Sequence, residues 1–352
     1  MTILVTGAAG FIGSNFVLNW LKKYDKKIIN LDNLTYAGNL ENLKSIENSS
    51  NYQFFHGDIG DSVLVGGILK KNKPRAILHF AAESHVDRSF HDPEIFIQTN
   101  IVGTYRLLEQ ARHFYELLNE NDKKDFRFLH VSTDEVYGSL RLTDPAFKET
   151  NKYQPNSVYS ASKASSDHLV RAWNHTYDLP ILITNCSNNY GPYQFPEKLI
   201  PLCISKALRG DDIPIYGDGQ QVRDWLYVID HCNGIDNVLE KGVIGETYNI
   251  GGWNEKTNLD TVNIICESLD EFKPKKNGGS YKAQISFIKD RPGHDRRYAV
   301  DASKISNNLA WKPSETFESG IHKTVKWYIN NQDWVEQIQS SEYQDWIKKN
   351  YT

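Results

Sequence analysis

The chain has 352 residues, a formal net charge of −4 and 39% apolar residues, values that are typical of a soluble globular protein. It contains no run of about 18 apolar residues, which excludes a membrane-spanning helix, and its charge excludes a general attraction to nucleic acid or to anionic membranes. The four cysteines form no CxxC pair, and the eleven histidines show no metal-ligand spacing. We therefore expect a cytoplasmic protein with reduced thiols and no metal site.

A glycine-rich turn lies between the first predicted strand, Ile3 to Val5, and a helix that extends to about Lys23. Its glycines, Gly7, Gly10 and Gly13, have the spacing G-x-x-G-x-x-G instead of the more familiar G-x-G-x-x-G. Glycines in such a turn let the backbone approach a pyrophosphate at the N-terminus of a helix. The turn therefore predicts a nucleotide-binding site at the start of the chain.

An acidic residue follows the second predicted strand, Lys27 to Leu31. Asp32 lies about 20 residues after Gly13, which is the separation expected for a carboxylate that binds the ribose hydroxyls of a dinucleotide. A carboxylate at this position repels a 2′-phosphate, so the pattern favours NAD over NADP. The alternative is a glycine-rich turn followed by a solvent-facing aspartate.

Strands and helices are predicted to alternate as far as residue 185. The strands are 52–56, 76–80, 126–131 and 181–185, the helices are 93–118 and 159–177, and the polar segment 119–125 is predicted to be a surface loop. This alternation implies a doubly wound parallel sheet of Rossmann-like type, in which ligands bind beyond the carboxyl ends of the strands. The residues at such strand ends are Asp32, Asp58, Ala81, Ser84, Thr133, Asp134, Glu135 and Asn188. Asp58 either faces an adenine amino group or caps the following helix.

The alternation weakens in the second half of the chain. Short strands are predicted at 213–216, 247–250 and 285–288, and helices at 259–269 and 317–329. We therefore expect an α/β protein with an NAD-binding, catalytic domain over residues 1–187. A smaller mixed α/β portion over residues 188–352 would bind the substrate, with chain exchanged between the two. Basic residues in its loops, such as Lys198 and Arg223, suit a diphosphate, and the alternative is solvated surface charge.

Two groups of residues that can move protons stand close together in the chain. Thr133, Asp134 and Glu135 follow a predicted buried strand, and Tyr159 and Lys163 lie four residues apart on one face of a predicted helix. A lysine ammonium beside a phenol lowers the pKa of the phenol, and two neighbouring carboxyl groups can divide the roles of acid and base. The alternatives are an exposed helical Tyr–Lys pair and an acid pair that bonds local backbone amides.

These motifs resemble those of the extended short-chain dehydrogenases/reductases, and most closely those of the dTDP-glucose 4,6-dehydratase family. The resemblance covers nearly the whole chain and is carried, besides the motifs above, by residues 81–89, 188–192, 223–225 and 290–297. In sugar-nucleotide epimerases of the same superfamily, small hydroxyl residues usually replace the pair Asp134–Glu135. The resemblance therefore implies a dehydratase.

The resemblance also implies the residues of the site. Those expected to bind NAD are Gly7, Gly10, Phe11, Ile12, Gly13, Asp32, Asn33, Leu34, Thr35, Asp58, Ile59, Ala81, Ala82, Thr99, Tyr159, Lys163 and Asn189. Those expected to face the nucleotide sugar are Ser84, His85, Asn100, Thr133, Asn188, Lys198, Leu199, Pro214, Ile215, Tyr216, Arg223, Asn258, Asp290, Arg291, Pro292, Gly293 and His294.

A division of chemical roles follows from the same resemblance. Tyr159 is expected to take the proton from the 4-hydroxyl of the sugar while NAD accepts the hydride, with Lys163 and Thr133 assisting. Glu135 is expected to remove the C5 proton, and protonated Asp134 to donate to the leaving 6-hydroxyl. The resemblance further implies that NAD is regenerated in each cycle and that the product feeds deoxysugar biosynthesis, for example of rhamnose. Helices 93–118 and 159–177 are expected to form a homodimer interface.

Two other functions stay open at this point. One is a related enzyme, either a 4-epimerase or a dehydratase that uses a UDP- or GDP-linked sugar. The other is a catalytically silent NAD-binding protein, which would be expected to lack one of Tyr159, Lys163, Asp134 or Glu135. All four residues are present.

Overall fold

The computed structural model describes residues 2–290 and 294–338. Its strands are β1 (Thr2–Thr6), β2 (Lys27–Asp32), β3 (Tyr52–His56), β4 (Ala76–His79), β5 (Arg127–Thr133), β6 (Ile181–Cys186), β7 (Asn188–Tyr190), β8 (Ile213–Tyr216), β9 (Val222–Tyr227), β10 (Thr247–Ile250), β11 (Glu255–Thr257) and β12 (Ile285–Ile288). Its α-helices are α1 (Phe11–Lys23), α2 (Ser62–Asn72), α3 (Val86–His91), α4 (Pro93–Phe96), α5 (Thr104–Glu116), α6 (Glu120–Asp125), α7 (Val158–Tyr177), α8 (Leu199–Arg209), α9 (Val228–Lys241), α10 (Asn258–Phe272), α11 (Ser303–Leu309), α12 (Phe317–Asn330) and α13 (Gln332–Ile338).

Seven parallel strands form the central sheet, in the order β10-β6-β5-β4-β1-β2-β3. From β3 to β6 this is the strand order of a dinucleotide-binding doubly wound sheet. The predicted fold class is therefore confirmed. The chain reverses direction across the sheet between β1 and β4, and a ligand crevice is expected at that point.

Apolar side chains cover both faces of the central sheet. One apolar cluster contains Trp20 of α1 and Val238 of α9, and another contains Leu107 of α5 and Val170 of α7. Each fully buried side chain of this size contributes about 1.5–3 kcal/mol of transfer free energy. The packing on both faces therefore fixes the strand ends on which a site can be built.

The second half of the chain contributes to two regions of the molecule. Strand β10 pairs with β6 in the central sheet, with Thr247 opposite Ile183 and Ile250 opposite Cys186. The other strands form a three-stranded sheet, β11-β9-β7, and a parallel pair, β12-β8. Helices α8, α10 and α12 share an apolar cluster. The predicted strands at 213–216, 247–250 and 285–288 have the predicted bounds.

The prediction of a surface loop over residues 119–125 is wrong, because α6 occupies most of this segment. The side chain of Asn119 accepts hydrogen bonds from the amides of Asn121 and Asp122, both at 3.0 Å, and so caps the helix. The helix has no buried residue, so the sequence shows no apolar periodicity there.

The predicted long helix over residues 93–118 consists of α4, a π-helical segment at Ile97–Gly103, and α5. The wider π turn is a feature that often accompanies functional sites. Among the described residues, no helix combines the length and the apolar character needed to cross a membrane.

Candidate active site

A cavity of about 440 Å³ opens at the carboxyl ends of the central strands. It is lined by the five residues predicted to be catalytic, Thr133, Asp134, Glu135, Tyr159 and Lys163. The other predicted NAD-binding residues that line it are Gly7, Gly10, Phe11, Ile12, Gly13, Asp32, Asn33, Thr35, Asp58, Ile59, Ala81, Ala82, Thr99 and Asn189. The predicted substrate-binding residues that line it are Ser84, His85, Asn188, Lys198, Leu199, Pro214, Tyr216, Arg223, Asn258 and His294. Segments from both halves of the chain thus converge on one cavity.

Some predicted residues of the described chain lie away from the cavity surface. Leu34 has a positive φ of 52°, and its amide donates to Asp32 Oδ1 at 2.8 Å. Leu34 therefore contributes to the site through its backbone, which holds the Asp32 carboxylate, and not through its side chain. Ile215 is buried in the apolar cluster of α8, α10 and α12. Asp290 bonds His294, with 2.7 Å between its Oδ1 and the ring Nδ1. The predicted residues Arg291, Pro292 and Gly293 lie outside the described residues.

Asn100 also lies away from the cavity, although its neighbour Thr99 lines it. The Asn100 side chain accepts from the amide of Glu83 and donates to its carbonyl oxygen, both at 2.9 Å. It also donates to Ser162 Oγ at 2.8 Å. The π-helical segment therefore presents Thr99 to the cavity, while Asn100 ties the turn after β4 to α7.

The glycine-rich turn has the close backbone approach that a nucleotide site requires. Gly7 has a φ of +71°, and a Cβ added there would lie 2.6 Å from the amide nitrogen of Ala81. A Cβ on Gly13 would collide with the carbonyl oxygen of Gly7. Gly10 is the N-cap of α1, and this N-cap makes no side-chain hydrogen bond to the first amides of the helix. These amides are therefore placed to bind a pyrophosphate.

Two acidic residues of the cavity wall lie at the carboxyl ends of neighbouring strands, Asp32 as the last residue of β2 and Asp58 just after β3. Asp32 accepts from the amides of Ala9 and Leu34, both at 2.8 Å. Burial raises the pKa of Asp32, while the two amides act in the opposite direction. Asp58 accepts from the amide of Gly60 at 2.6 Å, and Asp61, not Asp58, caps α2. The capping alternative for Asp58 is therefore wrong.

The acid pair lies at the end of β5, where the short 3-10 segment Asp134–Tyr137 begins. Thr133 Oγ1 donates to Asp134 Oδ1 and accepts from the amide of Glu135, both at 3.3 Å. Asp134 is 1% exposed, whereas Glu135 is only partly buried. The pKa of Asp134 is raised well above its usual value. Burial is the largest cause, and the carboxyl groups of Glu135 and Asp224 raise it further. Asp134 is therefore suited to carry a proton at neutral pH.

Tyr159 lies in the first turn of α7, whose start is fixed by a capping box between Ser157 and Ser160. The pKa of Tyr159 is raised well above its usual value. Burial is the largest cause and the charge of Glu135 adds to it, while a smaller contribution from Thr133 acts in the opposite direction. This direction is opposite to the one expected from a neighbouring lysine alone, because a buried phenol near carboxyl groups is costly to ionise. These surroundings by themselves therefore favour the neutral phenol.

Lys163 is 4% exposed, and a buried polar cluster lies behind it. Its Nζ donates to the carbonyl oxygen of Val131 at 2.9 Å and lies 3.5 Å from His130 Nε2. His130 Nε2 is 3.2 Å from Asp167 Oδ1, and Asp167 Oδ2 accepts from Tyr153 at 2.9 Å. Burial lowers the pKa of Lys163 to about 8, while the carboxylate of Asp167 acts against this decrease.

Cationic side chains lie at the cavity end that the second half of the chain contributes. The guanidinium of Arg223 lies 4.7 Å from the ring centroid of Tyr298 and donates to the carbonyl oxygen of Asp295 at 3.1 Å. Lys198 Nζ donates to the carbonyl oxygen of Ser84 at 3.1 Å. These contacts hold two positive charges in place, an arrangement that suits a diphosphate.

A buried polar group on the cavity wall was not predicted from the sequence. Glu197 is 3% exposed, and its Oε2 lies 3.3 Å from Arg88 Nε and 3.8 Å from His85 Nε2. The Arg88 guanidinium stacks 3.8 Å from the ring centroid of Tyr36. Burial raises the pKa of Glu197 to about 7. These residues come from three separate segments of the chain, namely the segment after β2, the start of α3 and the segment before α8, and no single spacing in the sequence links them.

The residues present fit a bound NAD. The glycine-rich turn provides backbone amides and room for a pyrophosphate, and Asp32 provides a carboxylate at the end of β2. Asn188 also lines the cavity, and its buried Oδ1 has no hydrogen-bond partner among the described residues. An unpartnered buried acceptor that lines a cavity indicates a ligand donor at that place.

Comparison with known proteins agrees with this geometry. A family model described as GDP-mannose 4,6 dehydratase matches residues 4–324. The chain is 58% identical to a dTDP-glucose 4,6-dehydratase of Shigella flexneri, with 100% of this chain and 99% of that protein covered. Among solved structures, it matches a dTDP-glucose 4,6-dehydratase of Bacillus anthracis in complex with NAD, with 47% identity, a TM-score of 0.85, and 96% and 99% of the two chains covered.

A second solved structure is DesIV, a dTDP-glucose 4,6-dehydratase of Streptomyces venezuelae with NAD and TYD bound. It is 44% identical, with a TM-score of 0.87, and the match covers 96% of this chain and 100% of that one. These findings confirm the resemblance seen in the sequence motifs. The chain belongs to the dTDP-glucose 4,6-dehydratase family.

Proposed function

We propose that this protein converts dTDP-glucose to dTDP-4-keto-6-deoxyglucose, using an NAD that stays bound and is regenerated in each turnover. The observation that carries the proposal is that the acid pair Asp134–Glu135 and the pair Tyr159–Lys163 line one cavity with the glycine-rich turn. A silent NAD-binding protein has no need for these four groups together. The relatives that share this architecture carry the same family name.

The cofactor is held by the glycine-rich turn, Asp32, Asp58, Thr99 and Asn189 in this proposal. NAD supplies the acceptor for the hydride from C4, the donor of the hydride to C6 and, when oxidised, a positively charged ring in the cavity. The amides at the start of α1 bind its pyrophosphate, and the carboxylate of Asp32 binds its ribose hydroxyls.

In the oxidation step, Tyr159 accepts the proton of the 4-hydroxyl. Thr133, which lines the same cavity as Tyr159, holds the 4-oxygen in line with the phenol. Lys163 lies one helical turn further along α7, and its ammonium group stabilises the phenolate and binds the nicotinamide ribose. A ketone at C4 then makes the C5 proton acidic.

In the elimination step, Glu135 removes the C5 proton and Asp134 protonates the leaving 6-hydroxyl. The different burial of the two residues supports this assignment, because the more deeply buried carboxyl group keeps its proton. Two adjacent carboxyl groups can thus act as base and acid at the same pH.

Arg223 and Lys198 are proposed to bind the diphosphate of the substrate. Both side chains line the cavity and are held by backbone carbonyl groups. Residues 1–187 are proposed to form the NAD-binding, catalytic domain, and residues 188–352 mainly the substrate-binding portion. Strand β10, which completes the first sheet, is the exchanged segment in this division.

We also infer that the protein forms a homodimer through α5 and α7. Large apolar side chains near these helices are exposed, including Ile97 at 46%, Tyr105 at 45% and Tyr177 at 44%. The four cysteines are unpaired and buried, which supports a reducing compartment such as the cytoplasm. A 4-keto-6-deoxy sugar would feed deoxysugar biosynthesis, with rhamnose as one possible end product. Light scattering after size-exclusion chromatography tests the dimer, and a monomer at micromolar concentration would contradict it.

The function is tested by incubating the purified protein separately with dTDP-glucose, UDP-glucose and GDP-mannose, without an external reductant. We expect mass spectrometry to show the loss of one water from dTDP-glucose. An unchanged mass with an altered sugar configuration would indicate an epimerase. Dehydration of only UDP-glucose or GDP-mannose would contradict the proposed substrate, and no reaction with bound NAD would indicate a silent binder.

A further inference from the structure

Two buried side chains outside the cavity are hydrogen-bonded in series to the glycine-rich turn. Asn42 lies in the 3-10 segment Leu40–Ile46, is 2% exposed, and donates from Nδ2 to the carbonyl oxygen of Ala9 at 2.9 Å. Its Oδ1 accepts from Nε1 of Trp334, on α13, at 2.8 Å. The two bonds use both ends of the Asn42 amide and fix its orientation. They connect α13 with the nucleotide-binding turn at the other end of the chain.

The peptide group that Asn42 contacts is held from several sides. The carbonyl oxygen of Ala9 also accepts from the amide of Asn39 at 3.0 Å, and the amide of Ala9 donates to Asp32 Oδ2 at 2.8 Å. Because the Ala9 carbonyl and the Gly10 amide belong to one planar peptide group, these bonds orient Gly10, the N-cap of α1. The direction of the first amides of α1 depends on this orientation, and those amides are the groups placed to bind a pyrophosphate.

We propose that Trp334 is a positioning residue for NAD, acting through Asn42 on the glycine-rich turn. The inference rests on the cofactor assignment made in the proposed function. Neither of these two residues lines the cavity, so their effect is exerted on the backbone of the turn. Without the indole N–H, the Asn42 amide can rotate and lose its bond to the Ala9 carbonyl. The cofactor then has to order the turn as it binds, and that ordering weakens its affinity.

Packing alone does not require the hydrogen bond that the Trp334 indole makes. The centroid of its ring lies 5.0 Å from that of Trp327 and 5.8 Å from that of Tyr193, and a phenylalanine could fill the same aromatic environment. Two other buried indoles, those of Trp20 and Trp225, have an Nε1 atom with no hydrogen-bond partner among the described residues. Burial of a tryptophan in this fold therefore does not by itself supply such a bond. Removal of the indole N–H separates positioning from packing.

The test compares two variants from one aromatic cluster. Trp334→Phe keeps a large ring but removes the N–H that bonds Asn42, and Trp327→Phe removes a neighbouring indole that makes no bond to Asn42. Calorimetric titration measures the dissociation constant of NAD. We expect Trp334→Phe to raise this constant about 10-fold, through the loss of one buried hydrogen bond, and Trp327→Phe to leave it unaltered. Equal dissociation constants for both variants and the unaltered protein would overturn the proposal.

A double-mutant cycle tests whether Trp334 acts through Asn42. Asn42→Ala removes both hydrogen bonds and should raise the dissociation constant of NAD by about 10–30-fold. Addition of Trp334→Phe to this variant should cause no further change, because the indole then has no acceptor beside the turn. Independent, multiplicative effects of the two substitutions would contradict the proposed route.

Hydrogen–deuterium exchange of the NAD-free protein provides a readout that does not depend on activity. The amides of residues 7–14 should exchange faster in Trp334→Phe than in the unaltered protein or in Trp327→Phe, because the turn opens more often. Faster exchange confined to α12 and α13 would show that Trp334 only stabilises its own helix, and would overturn the proposal.

These outcomes differ from a failure of the proposed function. If the unaltered protein binds no NAD, the cofactor assignment itself is wrong. If it binds NAD and dehydrates dTDP-glucose, and Trp334→Phe binds NAD with the same dissociation constant, only the positioning role of Trp334 is wrong.

Discussion

The two ends of the active-site cavity are built from different parts of the polypeptide. The cofactor end consists mainly of backbone, namely the glycine-rich turn and the carboxyl ends of β2 and β4. The substrate end consists mainly of side chains, including Lys198, Arg223 and His294, which come from well-separated segments of the chain. A site made of backbone has few acceptable substitutions, because a Cβ changes its shape. A site made of side chains can change its ligand without a change of fold. We therefore expect substitutions at the two ends to have separable effects.

The largest effect is expected where the two ends meet. Glu135→Gln should slow dehydration by about 10²–10⁴-fold, because the C5 base is lost, while the first oxidation persists. Tyr159→Phe should instead prevent that oxidation. Glu135→Gln should keep NAD affinity, because Glu135 is not among the residues expected to bind the cofactor. Stopped-flow absorbance of the reduced cofactor in a single turnover distinguishes the two, and rapid dehydration by Glu135→Gln would refute its role as base.

At the cofactor end, Gly7→Val should weaken NAD binding by about 10–100-fold through backbone strain and collision with Ala81. Activity would fall with cofactor occupancy and recover at high added NAD. Gly67→Ala is the matched control, since no atom lies within 4 Å of its Cβ and it lies within α2. It should keep NAD affinity and gain about 0.5–1 kcal/mol of stability. Calorimetric titration measures both NAD affinities. Unchanged NAD binding by Gly7→Val would contradict the claim that the backbone at Gly7 determines cofactor binding.

At the substrate end, Arg223→Gln should raise the KM for dTDP-glucose by about 10–100-fold, because a charged hydrogen bond to the diphosphate is lost. Its NAD affinity should not change. Arg209→Gln, at the exposed end of α8, removes the same charge outside the cavity and should leave KM unaltered. If Arg223→Gln impairs NAD binding as strongly as KM, the two ends are not separable.

The smallest effect is expected from a substitution in the buried polar cluster that surrounds the Lys163 ammonium group. Its pKa of about 8 means that the ammonium is present below pH 8 and is lost as the pH rises, so activity should decline above that value. Asp167 on α7 and Cys186 on β6 act to raise this pKa. His130 on β5 also faces the group. Asp167→Asn should shift the alkaline limb of kcat downward by about one pH unit.

Asp178→Asn makes the same chemical change at the exposed C-terminus of α7 and should leave the limb in place. Identical pH profiles for both variants would show that Asp167 does not set the charge of Lys163.

The same contrast explains how much could be predicted from the sequence. The glycine spacing, Asp32 and the strand ends are local features whose geometry follows from short-range rules, and the structure brings them together. Asn100 and Ile215 were assigned by position in a motif, and only tertiary packing turns their side chains away from the cavity. Glu197 shows no local sequence pattern, because its partners His85 and Arg88 lie at the start of α3, far away in the chain.

The pKa of Tyr159 is a second case in which local reasoning was insufficient. The Tyr–Lys spacing indicates a lowered value, but burial and the nearby carboxyl groups dominate. The desolvation of Tyr159 depends on the whole fold, so it cannot be predicted from a short stretch of sequence.

The position of β10 has a consequence for how the chain reaches its folded state. The strand that completes the central sheet lies about 60 residues after β6, beyond α8 and α9. A fragment that ends at residue 187 would leave the backbone of β6 unpaired along the edge occupied by Thr247–Ile250 in the full chain. Unpaired edges of this kind promote aggregation. The nucleotide-binding sheet is thus completed only after the ribosome has made residue 250, and the two halves form one folding unit.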